Sequence, residues 1–281
     1  MKKFLLIFFL IKLSVLCQPS SFDFHSPQNI KKFADYLFCV KDYLRAIEQY
    51  ELLPVQFKND TTDFKIMIGY SNLELYTESS KIFKSITTDS KYYSDGYLLS
   101  IKNHLLIKPD VLRQNPISAF SESQLLSFQK LKTISQLYSD QPIVDEFEFV
   151  NAFDKDDEKE VSFLYEYKFD PPYKNPALAG IMSAIIPGSG KMYVGEWGDG
   201  ITGLLLTGLF AFLAYDNFKA DHTTRAWIFT GVGAFFYAGN IYGSVASAQI
   251  FNAGIDFEFS NGLSLFLQKK NYFLPEYDFC K

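Results

Sequence analysis

The stretch that looks most like chemistry is Gly188-Ser189-Gly190-Lys191, which shares its glycine, serine and lysine with a phosphate-binding loop. Such a loop cradles phosphates on successive backbone amides, and it requires a glycine five positions before its last one and a Ser or Thr after the lysine. Ile185 and Met192 stand in those places, so phosphate binding is not expected. The acidic run Asp154-Lys155-Asp156-Asp157-Glu158-Lys159-Glu160 invites a calcium reading. A calcium loop turns sharply at a glycine in its sixth position, where this chain has Lys159. The run therefore reads as a solvated linker or helix start. Asp199 and Asp216 would point to ion transport if they lay inside a bilayer, but they sit at the two ends of the apolar stretch between them and read as boundary markers. His25 and His104 have no partners at metal-ligand spacing, and His222 lies in a polar connection. No nucleophile–base pair and no His/Cys/acid cluster emerges, so no enzyme, no metal and no cofactor is expected. A net charge of −5 with a pI near 5.3 argues against nucleic acid as a partner.

The elements that carry these residues fall into two solvent regimes. Residues 22–175 hold 42 charged side chains and residues 176–255 only seven, so the first part faces water and the second faces lipid. Met1-Lys2-Lys3 followed by the apolar run Phe4–Leu16 has the layout of a secretory signal, placed at 1–20 and cleaved near Cys17–Ser20. Ser14-Val15-Leu16-Cys17 has the outline of a lipoprotein box, with a bulky Leu16 where a small residue is wanted. Three cysteines are too few for a disulfide framework, and no two are spaced like a metal clip.

Residues 27–145 read as helices. Ile30, Phe33, Ala34 and Leu37 fall on one helical face, and Tyr43, Leu44, Ala46, Ile47 and Tyr50 form a second phase. The stretch 33–53 resembles a tetratricopeptide repeat, with Ala34 and Ala46 as the small residues at the helix crossing and Tyr50 in the aromatic slot. A weaker copy over 63–86 puts Gly69 in the small position, and further apolar periodicity runs over 91–107 and 118–138. Because one repeat cannot bury its own face, several are expected to stack. An irregular helical bundle is the alternative. Residues 146–174 are expected to be an acidic linker, stiffened before the membrane by Pro171-Pro172.

The membrane module is expected over 175–252, with an interfacial segment at 176–187 and spans at about 200–216 and 226–247. Gly203, Thr207 and Ala211 repeat at i+4 on the first span, and Gly239, Gly243 and Ser247 on the second. Small-residue stripes let helix backbones approach in lipid, so they are read as packing positions within a tight hairpin or against another chain. Tyr193 and Trp197 suit the headgroup belt.

Pro187-Gly188-x-Gly190-x-x-Tyr193-x-Gly195, then Asp199-Gly200 and the glycine-spaced hairpin with Asn240, resembles the small TM2-type double-spanning hairpin and the uncharacterised DUF5683-like family of bacterial membrane proteins. The likeness covers about 75 residues and implies architecture and an envelope setting rather than an activity. Removal of the signal peptide would leave an inner-membrane anchor with the repeat region in the periplasm, and two crossings would put 216–225 in the cytoplasm. Whether two or three segments cross, and so which side the tail reaches, stays open at this level.

In the tail, 253–281, Ile255, Phe257 and Phe259 alternate, then Asn261-Gly262, then Leu263, Leu265 and Leu267, which predicts a β-hairpin. Its partner is expected to be the lipid surface or the repeat region. The fold class expected is thus mainly α: exported tetratricopeptide-like helices, a transmembrane helical hairpin and a short C-terminal β-hairpin. The function expected is a scaffold or adaptor for an envelope protein, with membrane lipid as the other partner and homo-oligomerisation through the stripes as an option. The alternative is a small oligomeric pore or an accessory factor in membrane-protein insertion or transport.

Overall fold

The computed structural model of the chain describes residues 23, 25–108, 110–269, 272–275 and 277–280. The expected signal peptide, with Cys17, lies outside the described residues. Among the described residues there are twelve α-helices and no strand. The chain forms two compact units, one made of residues 1–138 with 269–281 and the other of residues 139–268.

The first unit contains α1 (Pro27–Cys39), α2 (Tyr43–Glu51), α3 (Asp60–Asn72), α4 (Tyr76–Ile82), α5 (Tyr93–Ile107) and α6 (Glu122–Ser135), each packed on the next. Their starts are set by local chemistry. Ser26, Asn59 and Ser121 each accept a hydrogen bond from the amide three residues on, and the last two complete reciprocal capping boxes. Pro27 stands at the first helical position, where a missing N–H costs nothing. Lys41 and Glu74, in the turns after α1 and α3, both adopt left-handed backbone (φ 64° and 61°).

Burial follows the helical phases except at Phe33 and Leu44, which are 48% and 55% exposed. Ala34, Leu37, Ala46, Ile47, Tyr50 and Ile66 form one core cluster, and Phe64, Met67, Ile86, Tyr92 and Leu99 a second. Between α3, α4 and α5 runs a buried polar chain. Ser71 donates to Asn103 Oδ1 (2.9 Å), Asn103 Nδ2 donates to Ser79 (2.9 Å), and Ser79 donates to the Met67 carbonyl (2.7 Å). Each group is satisfied by the next, so the chain locks three helices in register without leaving a buried polar atom unpaired.

The tail returns to this first unit. Phe273 is buried, and Leu274, Tyr277 and Phe279 pack on the second core cluster. Cys280 is bonded to Cys39 at the end of α1, with the Cα atoms 5.7 Å apart.

The second unit contains α7 (Glu146–Asn151), α8 (Glu158–Phe169), α9 (Pro176–Ile185), α10 (Ser189–Tyr193), α11 (Trp197–Lys219) and α12 (Thr223–Gln268). Two expectations need correcting. The region 146–174 is not an extended linker. Four of its acids stand in the first turns of two helices, Glu146 and Glu148 on α7 and Glu158 and Glu160 on α8, favourable at a helix N-terminus. Beneath them Phe149, Val161 and Leu164 are buried. The β-hairpin is not formed either. The chain stays helical from Thr223 through Asn261-Gly262 to Gln268, 46 residues or about 69 Å of one helix. Ile255, Leu263, Phe266 and Leu267 fall on one helical stripe and are buried, whereas the alternating partners Phe257 and Leu265 are 68% and 56% exposed. Phe266 meets Phe153 edge-on at 5.8 Å, and Gly262 lies against Leu164. Packing on α7–α8 thus selects the 3.6-residue period over the two-residue one.

Candidate functional site

Two arrangements stand out, one in each unit. In the second unit, α9, α10, α11 and α12 meet along a polar seam. Gly188 takes a left-handed conformation (φ 89°) and lies against the Gly200 backbone so closely that a Cβ would overlap the Gly200 carbonyl. Gly190 packs on the Ala179 carbonyl, and its amide donates to Ser183 Oγ at 2.9 Å. Ser183 shares a 2.6 Å bond with Ser244, which donates to the Asn240 carbonyl at 2.9 Å. Ser247 donates to Glu196 (2.6 Å), and Tyr237 donates to the Ala184 carbonyl (2.7 Å). The Asn252 amide clasps Lys174 at both its N–H and its carbonyl. The sequence motif is therefore a set of close backbone approaches stitched by hydroxyls.

The motif residues divide as follows. Pro187, Gly188, Gly190 and Gly200 lie at the α9–α10–α11 crossing, and the Tyr193 hydroxyl accepts from the Asn175 amide (3.3 Å). Gly195 (φ 94°) has open space where a Cβ would be, so its requirement is conformational alone. Asp199 is exposed and 3.9 Å from Lys191. Asn240 is 7% exposed and presses on Gly203, where a Cβ would stand 2.6 Å from its Nδ2.

Of the expected stripe positions, Gly203, Thr207 and Ser247 lie in the contact face and Ala211 and Gly239 do not. On α11 the facing residues are Gly200, Gly203, Thr207, Phe210 and Ala214, while Ala211 is exposed. On α12 they are Gly233, Asn240, Ser244, Ser247 and Ala248, while Gly239 is exposed with nothing within 4 Å and Gly243 touches only Lys191. Phe210 stacks on Phe236 at 5.2 Å and Phe218 meets Trp227 at 5.5 Å, which fixes the antiparallel register. Two polar groups in this seam have no partner, the Asn240 amide and the Thr207 hydroxyl.

α11 is the one described helix long and apolar enough to cross a membrane, and few of its residues are fully buried. Leu205, Phe212 and Tyr215 are each more than 60% exposed. The second expected span is helical throughout, but Thr, Gly, Asn, Ser and Tyr keep it below the apolarity of α11. α9, ten residues and about 15 Å, is too short to cross.

In the first unit, Ala34, Ala46 and Tyr50 lie together, each no more than 1% exposed, and a Cβ on Gly69 would stand 3.1 Å from Ile47 Cδ1. Tyr50 donates to Asp35 (2.5 Å), which also holds the buried Lys65 ammonium (2.6 Å). Burial first, and then the Asp35 carboxylate, pushes the Tyr50 hydroxyl far above the ordinary tyrosine range. Lys65 lies over the Phe38 ring on one side and the Phe279 ring on the other, at 5.6 and 5.0 Å. The face shared by α1, α3 and the start of α5 is therefore occupied by the chain's own tail. Tyr277 and Phe279 stack at 5.2 Å and lie against Phe64 and Tyr92, and the Tyr277 hydroxyl donates to the buried Asp95. The repeat region is one of the two partners expected for the tail, but the segment that docks is 273–280 rather than a hairpin face over 255–267, and the pairing of Cys39 with Cys280, 241 positions apart, has no local signal.

No group of three or more metal-ligating side chains converges among the described residues. No family model, curated protein or solved structure matches this chain.

Proposed function

We propose that the protein is a membrane-anchored scaffold of the bacterial cell envelope, which displays its helical unit on the periplasmic side to hold another envelope protein. The role is one of binding rather than catalysis, and the anchor is a double-spanning module of the TM2 and DUF5683-like type, made of α11 and the first half of α12. The observation that carries this reading is the tie between Cys39 and Cys280. A covalent bond between the segments on either side of residues 139–268 keeps both ends on one face of a bilayer, so the number of crossings between them is even. Two crossings satisfy that, with α9 lying at the interface. Disulfides persist in oxidising compartments, which favours the periplasmic face for the first unit. The repeat-like pairing of α1 with α2 and α3 with α4 supports a binding role, since such pairs build extended surfaces.

The test uses the full chain in intact cells. Single cysteines placed at Ser121 and at Ala220, in a background that keeps the Cys39–Cys280 bond and replaces only Cys17, are probed with a membrane-impermeant maleimide. Labelling at 121 but not at 220 is expected, and the reverse pattern refutes the orientation. Failure of the full chain to retain any envelope protein after crosslinking refutes the scaffold role.

A second reading, a small oligomeric pore or an accessory factor in insertion or transport, draws on the unpartnered Asn240 amide and Thr207 hydroxyl within the hairpin. It requires conductance or insertion defects that follow substitutions at these two residues and survive loss of the helical unit.

A further inference from the structure

The tail fills the face made by α1, α3 and the start of α5, so a partner of the helical unit needs another place to dock. On α4, the turn Phe83–Ser85 that follows it, and α5, the surface opens into a cavity of about 390 Å³. That is at the lower end of the roughly 300–1,000 Å³ typical of ligand clefts, enough for a short segment of chain and too small for a domain.

Its chemistry is sharply one-sided. Lys81, Lys84 and His104 line it, and no acidic residue does, on a chain whose net charge is −5. Glu78 reaches Lys81 only at 3.9 Å, Asp110 faces His104 at 3.4 Å, and no described carboxylate pairs with Lys84. The Ser80 hydroxyl, also lining the cavity, is buried and has no hydrogen-bond partner. A buried donor left unpaired is costly, and an incoming acceptor would satisfy it. Beside these groups lie the Phe83 and Tyr97 rings, 6.2 Å apart. The floor is stiff, because a Cβ on Gly96 of α5 would stand 3.0 Å from the Phe83 ring and that fit sets the α4–α5 approach.

We infer that this cavity is the docking site for an acidic, aromatic-bearing segment of a partner protein. A carboxylate sits against Lys84 and Lys81 and accepts from Ser80, and the neighbouring aromatic side chain lies on Phe83 and Tyr97. Cations supply attraction and orientation, while the rings supply the apolar contact that holds the segment in place. The inference rests on the scaffold reading and names where and by what chemistry that scaffold grips.

The experiment uses the full chain in detergent micelles and a fluorescein-labelled hexapeptide alternating glutamate and phenylalanine, with its glutamine counterpart as control. Anisotropy is expected to show the acidic peptide binding at least about tenfold more tightly, the scale of one lost charged contact. Lys84→Gln with Lys81→Gln abolishes that preference, and both side chains are exposed, so far-UV circular dichroism should be unchanged. Ser80→Ala weakens the acidic peptide and leaves the glutamine peptide alone. Equal binding of the two peptides, or indifference to the double lysine variant, overturns the proposal, as does a preference for anionic lipid vesicles that excludes the peptide. Crosslinking of the full chain in the envelope separates the two levels. If a partner is retained and the lysine variant retains it equally, the cavity assignment fails and the scaffold reading stands. If no partner is retained by either chain, the scaffold reading itself fails.

Discussion

Removing the Cys39–Cys280 bond should destabilise the first unit far more than removing any single side chain from its surface. The two cysteines are 241 positions apart, but the loop that matters is shorter. If the second unit stays folded while the first unfolds, the free chain between the cysteines is residues 40–138 plus 269–279, about 110 residues. Loop-closure entropy for that length corresponds to about 4.7 kcal/mol, and measured losses for native disulfides run about 2–5 kcal/mol. Against a total of about 5–15 kcal/mol for a domain, that is a large share. For a unit of this size each kcal/mol shifts Tm by about 4 °C, so a drop of roughly 8–20 °C is expected. The bond also holds Tyr277 and Phe279 in the aromatic cluster, so near-ultraviolet circular dichroism, dominated here by tyrosine, reports the loss directly. The assay is a thermal melt in micelles of the wild type with and without reductant, and of Cys39→Ser, Cys280→Ser and the double variant. The three variants should melt together, and reductant should lower only the wild type. A shift below about 3 °C, under 1 kcal/mol by the same conversion, refutes the argument. So does a non-reducing mass measurement that shows the two thiols free or paired between chains.

Three further outcomes follow from the packing. Gly203→Val drives a side chain into the Asn240 amide and should cost roughly 1–3 kcal/mol of hairpin stability, whereas Gly239→Ala, with nothing within 4 Å, should be neutral or gain a few tenths through helix propensity. Equal costs in a steric-trapping measurement would mean that the contact face described above is wrong. Asn103→Ala breaks the Ser71–Asn103–Ser79 chain and leaves the buried Ser71 hydroxyl without its acceptor, while Ser79 keeps the Met67 carbonyl, so a loss of roughly 2–3 kcal/mol is expected, and a loss under about 1 kcal/mol in urea titration would contradict it. Burial raises the pKa of Asp95 above the usual carboxylate range, with the Gln124 hydrogen bond opposing. The folded state therefore keeps the proton that the unfolded state has lost, and this residue's contribution to stability falls as pH rises from about 4 to its raised folded value. Asp95→Asn, whose oxygen still accepts from Gln124 and whose NH2 can donate to the Tyr277 oxygen, should be the more stable of the two chains at pH 7 and match the wild type near pH 3. An advantage for the variant that is the same at both pH values removes Asp95 as the cause.

Local signals in the sequence were sufficient for most helices of the first unit. Ser26, Asn59 and Ser121 cap where they stand because a side-chain oxygen three residues ahead of an amide needs no tertiary partner. Ala34, Ala46 and Tyr50 were readable as packing residues because small and aromatic side chains at helical spacing have few other uses. The glycines of the 187–200 motif were readable as special, though not what they touch, since Gly188 and Gly200 meet only after the chain has turned.

The sequence by itself therefore determined which segments are helical near 27–135, which region is poor in charge and that the glycines of the 187–200 motif are special. It left undecided every choice in which two periods or two partners were locally equivalent. Ile255, Leu263 and Leu267 satisfy both a strand and a helix, and burial against α7 and α8 broke the tie. Small residues at i+4 satisfy any helix face, and Asn240 pressed on Gly203 chose one. Cys39 and Cys280 lie at opposite ends of the chain, and no local rule relates them. Only the folded first unit, with Tyr277 and Phe279 seated among Phe38, Phe64 and Tyr92, brings their Cα atoms to 5.7 Å and makes the tail part of the helical core.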